Sequence, residues 1–232
     1  MSFKSVLTFA TAALALSAVP SASNAANIIN DGSFETQGSA ATFYSSPGNP
    51  VGNNAGYCYF GEPNLLCGNP GAPWSGSGLI KPPSAFGVPD LAQDGKIYSF
   101  IQNGQILSQS FMSTLAGIST LSFWTAGRTN NGGAQTVNVF LNGSSVGIFT
   151  TSQSTPNWVQ QFFPINLIAG SNTLEFKGQT FGTGVDQTAF IDNISVPAVP
   201  EPSTWAMLVL GFGLIGFALR RSQAVSTRVS FA

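Results

Sequence analysis

Histidine is absent from the 232 residues, cysteine occurs twice, and charged residues make up only 7 % of the chain. Without histidine there is no Ser-His-Asp or Cys-His machinery and no His-ligated zinc or copper site. Between Asn27 and Pro197 four basic residues (Lys81, Lys96, Arg128 and Lys177) stand against eight acidic ones, a net charge of −4. That balance argues against a nucleic-acid surface. The acidic residues are scattered, so no pair is marked as the two converging carboxylates that glycoside hydrolysis requires. The middle of the chain also lacks any sustained 3.6-residue apolar stripe, which removes a helical bundle from consideration. Glycine, asparagine, serine and threonine are plentiful, a polar but weakly charged composition.

Both ends read as targeting segments. Met1–Ala25 has one basic residue, Lys4, an apolar run from Val6 to Val19, and small residues at Ser23 and Ala25. This pattern predicts a secretory signal peptide cut after Ala25. At the other end, two prolines in Val199-Pro200-Glu201-Pro202 hold the backbone extended. Trp205 to Leu219 then carries no charge, and Arg220-Arg221 closes the run. The arginine pair predicts a cytoplasmic end under the positive-inside rule, and with it a single C-terminal transmembrane helix in 198–222 and a short cytoplasmic tail in 223–232. The apolar run is short for a bilayer, about 22 Å at 1.5 Å per residue, which predicts a temporary anchor.

The motif, run and basic pair together resemble the PEP-CTERM sorting signal of Gram-negative bacteria. Pro200-Glu201-Pro202-Ser203-Thr204-Trp205-Ala206 is similar to its Trp-Ala variant. The resemblance implies recognition by exosortase, a membrane protease. It also implies export through the inner membrane, transient membrane anchoring, and delivery to the cell surface or extracellular matrix. An ordinary C-terminal anchor is the alternative.

The body, 27–197, is long enough for one domain with its own core. Cys58 and Cys67, nine positions apart in an exported chain, predict a local disulfide. Period-two patterning predicts strands at Asn27–Phe34, Lys96–Ile101, Gln105–Phe111, Ser119–Ala126, Gln135–Leu141, Ser145–Thr150, Trp158–Pro164, Thr173–Lys177 and Thr188–Val196. Asn103-Gly104, Asn142-Gly143 and Ala169-Gly170 mark turns between them. Gln37–Pro89 reads as aromatic-rich loop with short strands. The class that fits is all-β, a jelly-roll β-sandwich.

Asn27–Glu35, Ile106–Phe111, Leu121–Trp124 and Ala189–Val196 resemble, in order, strands of galactose-binding-like jelly rolls, which include many carbohydrate-binding modules. The resemblance implies structural Ca²⁺ between Glu35 and Asp192, with carbonyls near Asp31–Ser33 completing a hard cation's six to eight oxygens. The alternative is that Asp192 caps a turn or accepts backbone N–H groups and Glu35 is solvated. A carbohydrate-binding face is expected where Trp124, Arg128 and, from a strand pairing alongside, Thr136 and Asn138 share one side of a sheet. The alternative is that Trp124 packs under the aromatic-rich loop and Arg128 pairs with an acid. Trp74 and Trp158 are further candidates, each with a core reading beside it. The function expected is a non-catalytic surface or matrix protein that grips exopolysaccharide. The competing expectation is a secreted carbohydrate-active hydrolase whose catalytic residues are unmarked.

Overall fold

Alternate residues of a strand face opposite sides of a sheet, and the burial of Gln135–Leu141 follows that rule, with every odd position buried and every even one partly exposed. The same alternation organises most of the body. The computed structural model describes residues 25–41, 43, 56–60, 67, 72–87, 89–130, 133–153, 157–180, 186–200 and 202–222. For 202–205 and 221–222 the backbone alone is described. The expected signal peptide (up to residue 24), Glu201 and the expected tail 223–232 lie outside these residues.

Among the described residues the strands are β1 (Tyr57–Tyr59), β2 (Gly78–Ile80), β3 (Tyr98–Gln102), β4 (Ile106–Ser113), β5 (Gly117–Gly127), β6 (Gln135–Leu141), β7 (Ser144–Thr151), β8 (Val159–Leu167), β9 (Gly170–Gly178) and β10 (Thr188–Ser195). Two helices, α1 (Glu35–Ser39) and α2 (Pro202–Ser222), flank them. One sheet runs β1-β2-β3-β10-β5-β8 and the other β4-β9-β6-β7. Every pairing is antiparallel. Strands β3 to β10 alternate between the sheets, except for the β6–β7 hairpin within one of them, as in an eight-stranded jelly roll. The β1–β2 hairpin extends the first sheet past β3.

The turns do what their residues favour. Asn142 (φ 52) and Gly143 (φ 77) both adopt left-handed backbone between β6 and β7, the geometry of a two-residue hairpin loop. Asn142 also holds the neighbouring strand, its Oδ1 accepting the Thr173 N–H at 2.8 Å. Between the sheets lie Leu121 and Phe123 of β5, Val137 and Val139 of β6, Leu174 and Phe176 of β9, and Ile191 of β10, all fully buried. The Phe123 ring stands 5.0 Å from Phe176 and 5.3 Å from Phe149. Each such side chain contributes roughly 1.5–3 kcal/mol by leaving water.

The predicted strand Asn27–Phe34 is corrected. Only Asn27 bridges to the sandwich, opposite Pro197. Asp31 and Phe34 adopt left-handed backbone (φ 49 and 62), which breaks the extended run. The Asp31 carboxylate then accepts the N–H groups of Thr36 and Gln37, at 2.9 and 2.7 Å, at the start of α1. The two ends of the body are joined by hydrogen bonds. Ile28 N–H donates to the Val196 carbonyl, Ala198 N–H to that of Ala26, and Val196 N–H to Asn27 Oδ1.

The transmembrane helix is also corrected. Helix α2 exists, but no helix among the described residues is long and apolar enough to cross a membrane. The charge-free stretch Trp205–Leu219 gives about 22 Å of helix against a hydrocarbon core of about 30 Å. The expectations of a membrane partner and of transient anchoring, which rested on that span, fall with it.

Candidate functional site

The outer surface of the six-stranded sheet divides into two halves. On β5 the even residues Ser122, Trp124 and Ala126 face outwards, since Phe123 lies in the core between the sheets. Towards β1 the surface is aromatic. Tyr98, Phe100 and Phe190 are fully buried there with Ile80, Phe86 and Ala126, and Tyr57, Tyr59 and Trp158 pack against them. What buries them is the chain at 81–87 and 89–97, which crosses the sheet as a strap. Phe86 lies 4.9 Å from the Phe100 ring and 5.0 Å from that of Tyr57.

Five side chains pin the strap along its length. Asn130 Nδ2 donates to the Ala85 carbonyl (3.0 Å), Tyr98 Oη to that of Pro89 (2.8 Å), and Trp158 Nε1 to that of Leu91 (3.0 Å). Asp192 Oδ2 accepts the N–H groups of Gln93 and Asp94, at 2.8 and 2.9 Å. Glu35 Oε1 accepts those of Lys96 and Ile97, both at 2.7 Å. Glu35 and Asp192 therefore both bond to the backbone of one short stretch, 93–97. Asp192 is fully buried, and burial pushes its carboxyl up to about 8, against the lowering effect of three backbone N–H groups. Among the described residues the one ion pair is Arg128–Asp186, and no three His, Cys, Asp or Glu side chains stand together to hold a metal. A cation at Glu35 and Asp192 would take its remaining oxygens from the backbone.

Towards β8 the strap ends and the sheet is open. Trp124 lies opposite Gln160, Ser122 opposite Phe162, and Thr120 opposite Pro164. Phe162 is 60 % exposed and Trp124 is partly exposed. Trp124 and Phe162 are diagonal neighbours on paired strands, a relation that leaves Cβ atoms about 7–8 Å apart and aromatic side chains within reach of each other. Gln160, Ser122 and Thr120 surround them with hydroxyl and amide groups. On the β10 side, Ser195 lies opposite Ser122, and Asn193 Nδ2 donates to Gln93 Oε1 at 2.8 Å. None of the outward side chains of β5 and β8 on this half is charged. A flat face of two aromatic rings edged by amides and hydroxyls matches a neutral, hydroxylated ligand. The C–H surfaces of such a ligand would lie on the rings while its hydroxyls would reach the rim.

Of the four residues expected on this face, Trp124 is there and Arg128, Thr136 and Asn138 are elsewhere. Arg128 is 5 % exposed, paired with Asp186 at 2.5 Å, bonded through Nε to Asn130 Oδ1, and placed 4.3 Å over the Phe86 ring. Its role is to fasten the strap's aromatic cluster. Asn138 and Thr136 lie in the other sheet, because the connection after β5 crosses the sandwich, so β5 and β6 are not paired. Trp74 is 1 % exposed, stands 5.3 Å from Phe34 and donates Nε1–H to the Asp31 carbonyl, a core position. Phe162 and Gln160 were not among the sequence candidates. Alternation in Trp158–Pro164 places them on one face, but only the β5–β8 pairing sets that face beside Trp124. Cys58 and Cys67 form the expected disulfide. Of the sorting residues, Pro200 lies in the extended exit from the body, Pro202 opens α2, and Trp205 and Arg221 lie within it. Ala206 and Arg220 are exposed.

Residues 198–222 match the PEP-CTERM protein-sorting motif. No curated protein matches the chain. Solved structures that it resembles include the carbohydrate-binding module CBM35 from Paenibacillus barcinonensis, at 19 % identity and a TM-score of 0.37 over 55 % of this chain and 94 % of that one. TmCBM61 in complex with β-1,4-galactotriose gives 16 %, 0.40, 75 % and 99 % for the same quantities. The module CBM36 in complex with calcium and xylotriose gives 17 %, 0.36, 51 % and 87 %. All three TM-scores lie well below one half.

Proposed function

We propose that the protein is an exported, non-catalytic binding protein whose jelly-roll body holds a neutral extracellular polysaccharide on the open face of its six-stranded sheet. The carrying observation is the Trp124–Phe162 pair, the one partly and the other largely exposed on a sheet whose other half is sealed by the strap. The ring faces supply the contact area, and Gln160, Ser122 and Thr120 supply the orienting hydrogen bonds. Exopolysaccharide is the substrate class that a secreted protein with such a neutral, flat platform fits. The test is affinity electrophoresis of the exported protein in gels containing neutral exopolysaccharides. Retardation should fall at least about tenfold in apparent affinity for Trp124→Ala and for Phe162→Ala. A wild-type protein that no neutral glycan retards overturns the reading.

The sorting motif belongs to the same proposal. Pro200-Glu201-Pro202 with Trp205 and Ala206 is the Trp-Ala form of the motif, and an exosortase-type protease is the partner that processes it, with Arg220-Arg221 closing the segment. Replacing Pro200, Glu201 and Pro202 together by alanine should leave the C-terminal segment on the exported protein, read by its intact mass. Unchanged trimming in that variant removes this part of the proposal.

Glu35 and Asp192 are assigned a hard cation, Ca²⁺, beside the hydrogen bonds they already accept. What supports it is a buried carboxylate with no cationic partner among the described residues, joined to a second carboxylate through one short segment. The ion would supply charge neutralisation and no chemistry. A melting temperature indifferent to Ca²⁺ and EDTA overturns the assignment.

A further inference from the structure

The four edges of the two sheets are not protected alike. The edge strand β4 is covered by Ser75, which exchanges two backbone hydrogen bonds with Ser108, at 2.9 and 3.0 Å. At β8, Pro164 interrupts the row of donors, as proline does in strands that must not pair further. At β1 the edge is three residues long. Among the described residues, strand β7 has no covering segment and no proline. Its eight residues, Ser144 to Thr151, include no charge and no proline, and it forms the outer edge of the four-stranded sheet. A bulge against β6 at Val139/Phe140 guards the first part of β7 and leaves Gly147–Thr151 as its regular, unguarded part. Within that part Ile148 is 54 % exposed and Thr150 is exposed beside it, on the same face.

We propose that β7 is a self-association edge, where a second copy of this chain adds its own β7 antiparallel and joins the two four-stranded sheets into one of eight strands. A two-fold axis through Phe149 makes the edge complementary to itself. Each Ile148 then lies opposite Thr150 of the second copy, twice, and each Gly147 opposite Thr151. β-Branched pairs of this kind are favourable across strands. A neutral strand is what lets the partner be an identical copy, since any charge near the axis would face its own like. The absence over Gly147–Thr151 of the covering residue, proline and short length seen at the other three edges points the same way. The open Trp124–Phe162 face lies on the other sheet, so pairing through β7 leaves it free and gives the assembly two binding faces.

The experiment is sedimentation equilibrium of the exported protein from micromolar to millimolar concentration. Wild type should populate a dimer, and Ile148→Lys should weaken it at least about tenfold by placing two ammonium groups near the axis. Thr150→Lys, at a separate exposed position of the same edge, should weaken it similarly. Ile118→Lys, at a residue 79 % exposed on the other sheet, should leave it unchanged. Circular dichroism and melting confirm that each variant is folded, and Thr150→Lys decides if Ile148→Lys is not. A wild type monomeric throughout overturns the proposal. A dimer that survives the β7 variants, or that Ile118→Lys weakens equally, does so as well.

Discussion

The two halves of the six-stranded sheet's outer surface are built from similar residues and end differently. Towards β1, Tyr98, Phe100 and Phe190 are sealed under the strap, and Phe86 completes the packing as a second core. Towards β8, Phe162 is largely and Trp124 partly exposed. The difference lies in where a covering segment ends rather than in composition. Trp158 holds that segment at Leu91, and Asp192 holds it at Gln93 and Asp94, one strand away from Trp124. Aromatic residues on a sheet therefore do not announce a binding face; the anchoring of the neighbouring loop decides which of them reach solvent.

The sharpest way to break the comparison is to remove an aromatic from the covered half. Phe190 is fully buried, 5.3 Å from Tyr98 and 6.4 Å from Phe86, on the central strand β10. Phe190→Ala should cost about 3–5 kcal/mol by leaving a cavity that the strap cannot fill. Urea denaturation reads this directly. A loss under about 1 kcal/mol would show that the strap collapses freely onto the sheet, and that the covered half is not a true core.

A smaller effect is expected at Asp192, where the two halves meet. Asp192→Asn keeps one carbonyl acceptor but gives up the second carboxyl oxygen, at about 1–3 kcal/mol. Calcium should raise the melting temperature of wild type and not of this variant. The pH dependence sharpens the result. Without a cation the folded carboxyl titrates near 8 against 3.8 for the free group, so the folded state takes up a proton more readily than the unfolded one. Its contribution is then complete below about pH 4 and disappears as pH rises towards 8. In EDTA, wild-type stability should fall across that window, and Asp192→Asn should flatten the fall. With Ca²⁺ bound the carboxylate is held ionised, and the same fall should be absent near neutral pH.

How far these features were legible in the sequence depends on their range. Gln135–Leu141 was predicted to the residue, because alternation and the Asn142-Gly143 turn are local signals. The strand expected at Asn27–Phe34 failed for an equally local reason that patterning does not register. Left-handed backbone at Asp31 and Phe34 turns the chain into α1. Trp124 was found because a tryptophan in a strand must choose a face. Arg128 shares its outward parity but lies in the strap's cluster, where Asp186 and Phe86 claim it. Asn138 was misplaced by assuming that consecutive strands pair, whereas a jelly roll sends β5 and β6 to opposite sheets. Phe162 required the β5–β8 register, a contact between strands separated by two others in sequence. At the C-terminus the sorting motif was plain, but an apolar composition was read as a membrane span that its length does not support.

The smallest effect on stability, and the one that sharpens the comparison most, belongs to Phe162. Its side chain stands 60 % exposed on the edge strand β8, so little apolar area returns to water when it is removed. Phe162→Ala should change unfolding free energy by no more than about 0.5 kcal/mol, the ordinary range for surface positions. The same substitution should still weaken glycan retention at least about tenfold, because the ring's value lies in what it offers a ligand. Stability and binding would then separate cleanly at Phe162 and coincide at Phe190, whose loss disturbs the fold first. Should Phe162→Ala unfold the protein as Phe190→Ala does, the open half would be a third packing surface. The distinction between a sealed and an available side of this sheet would then have no physical basis.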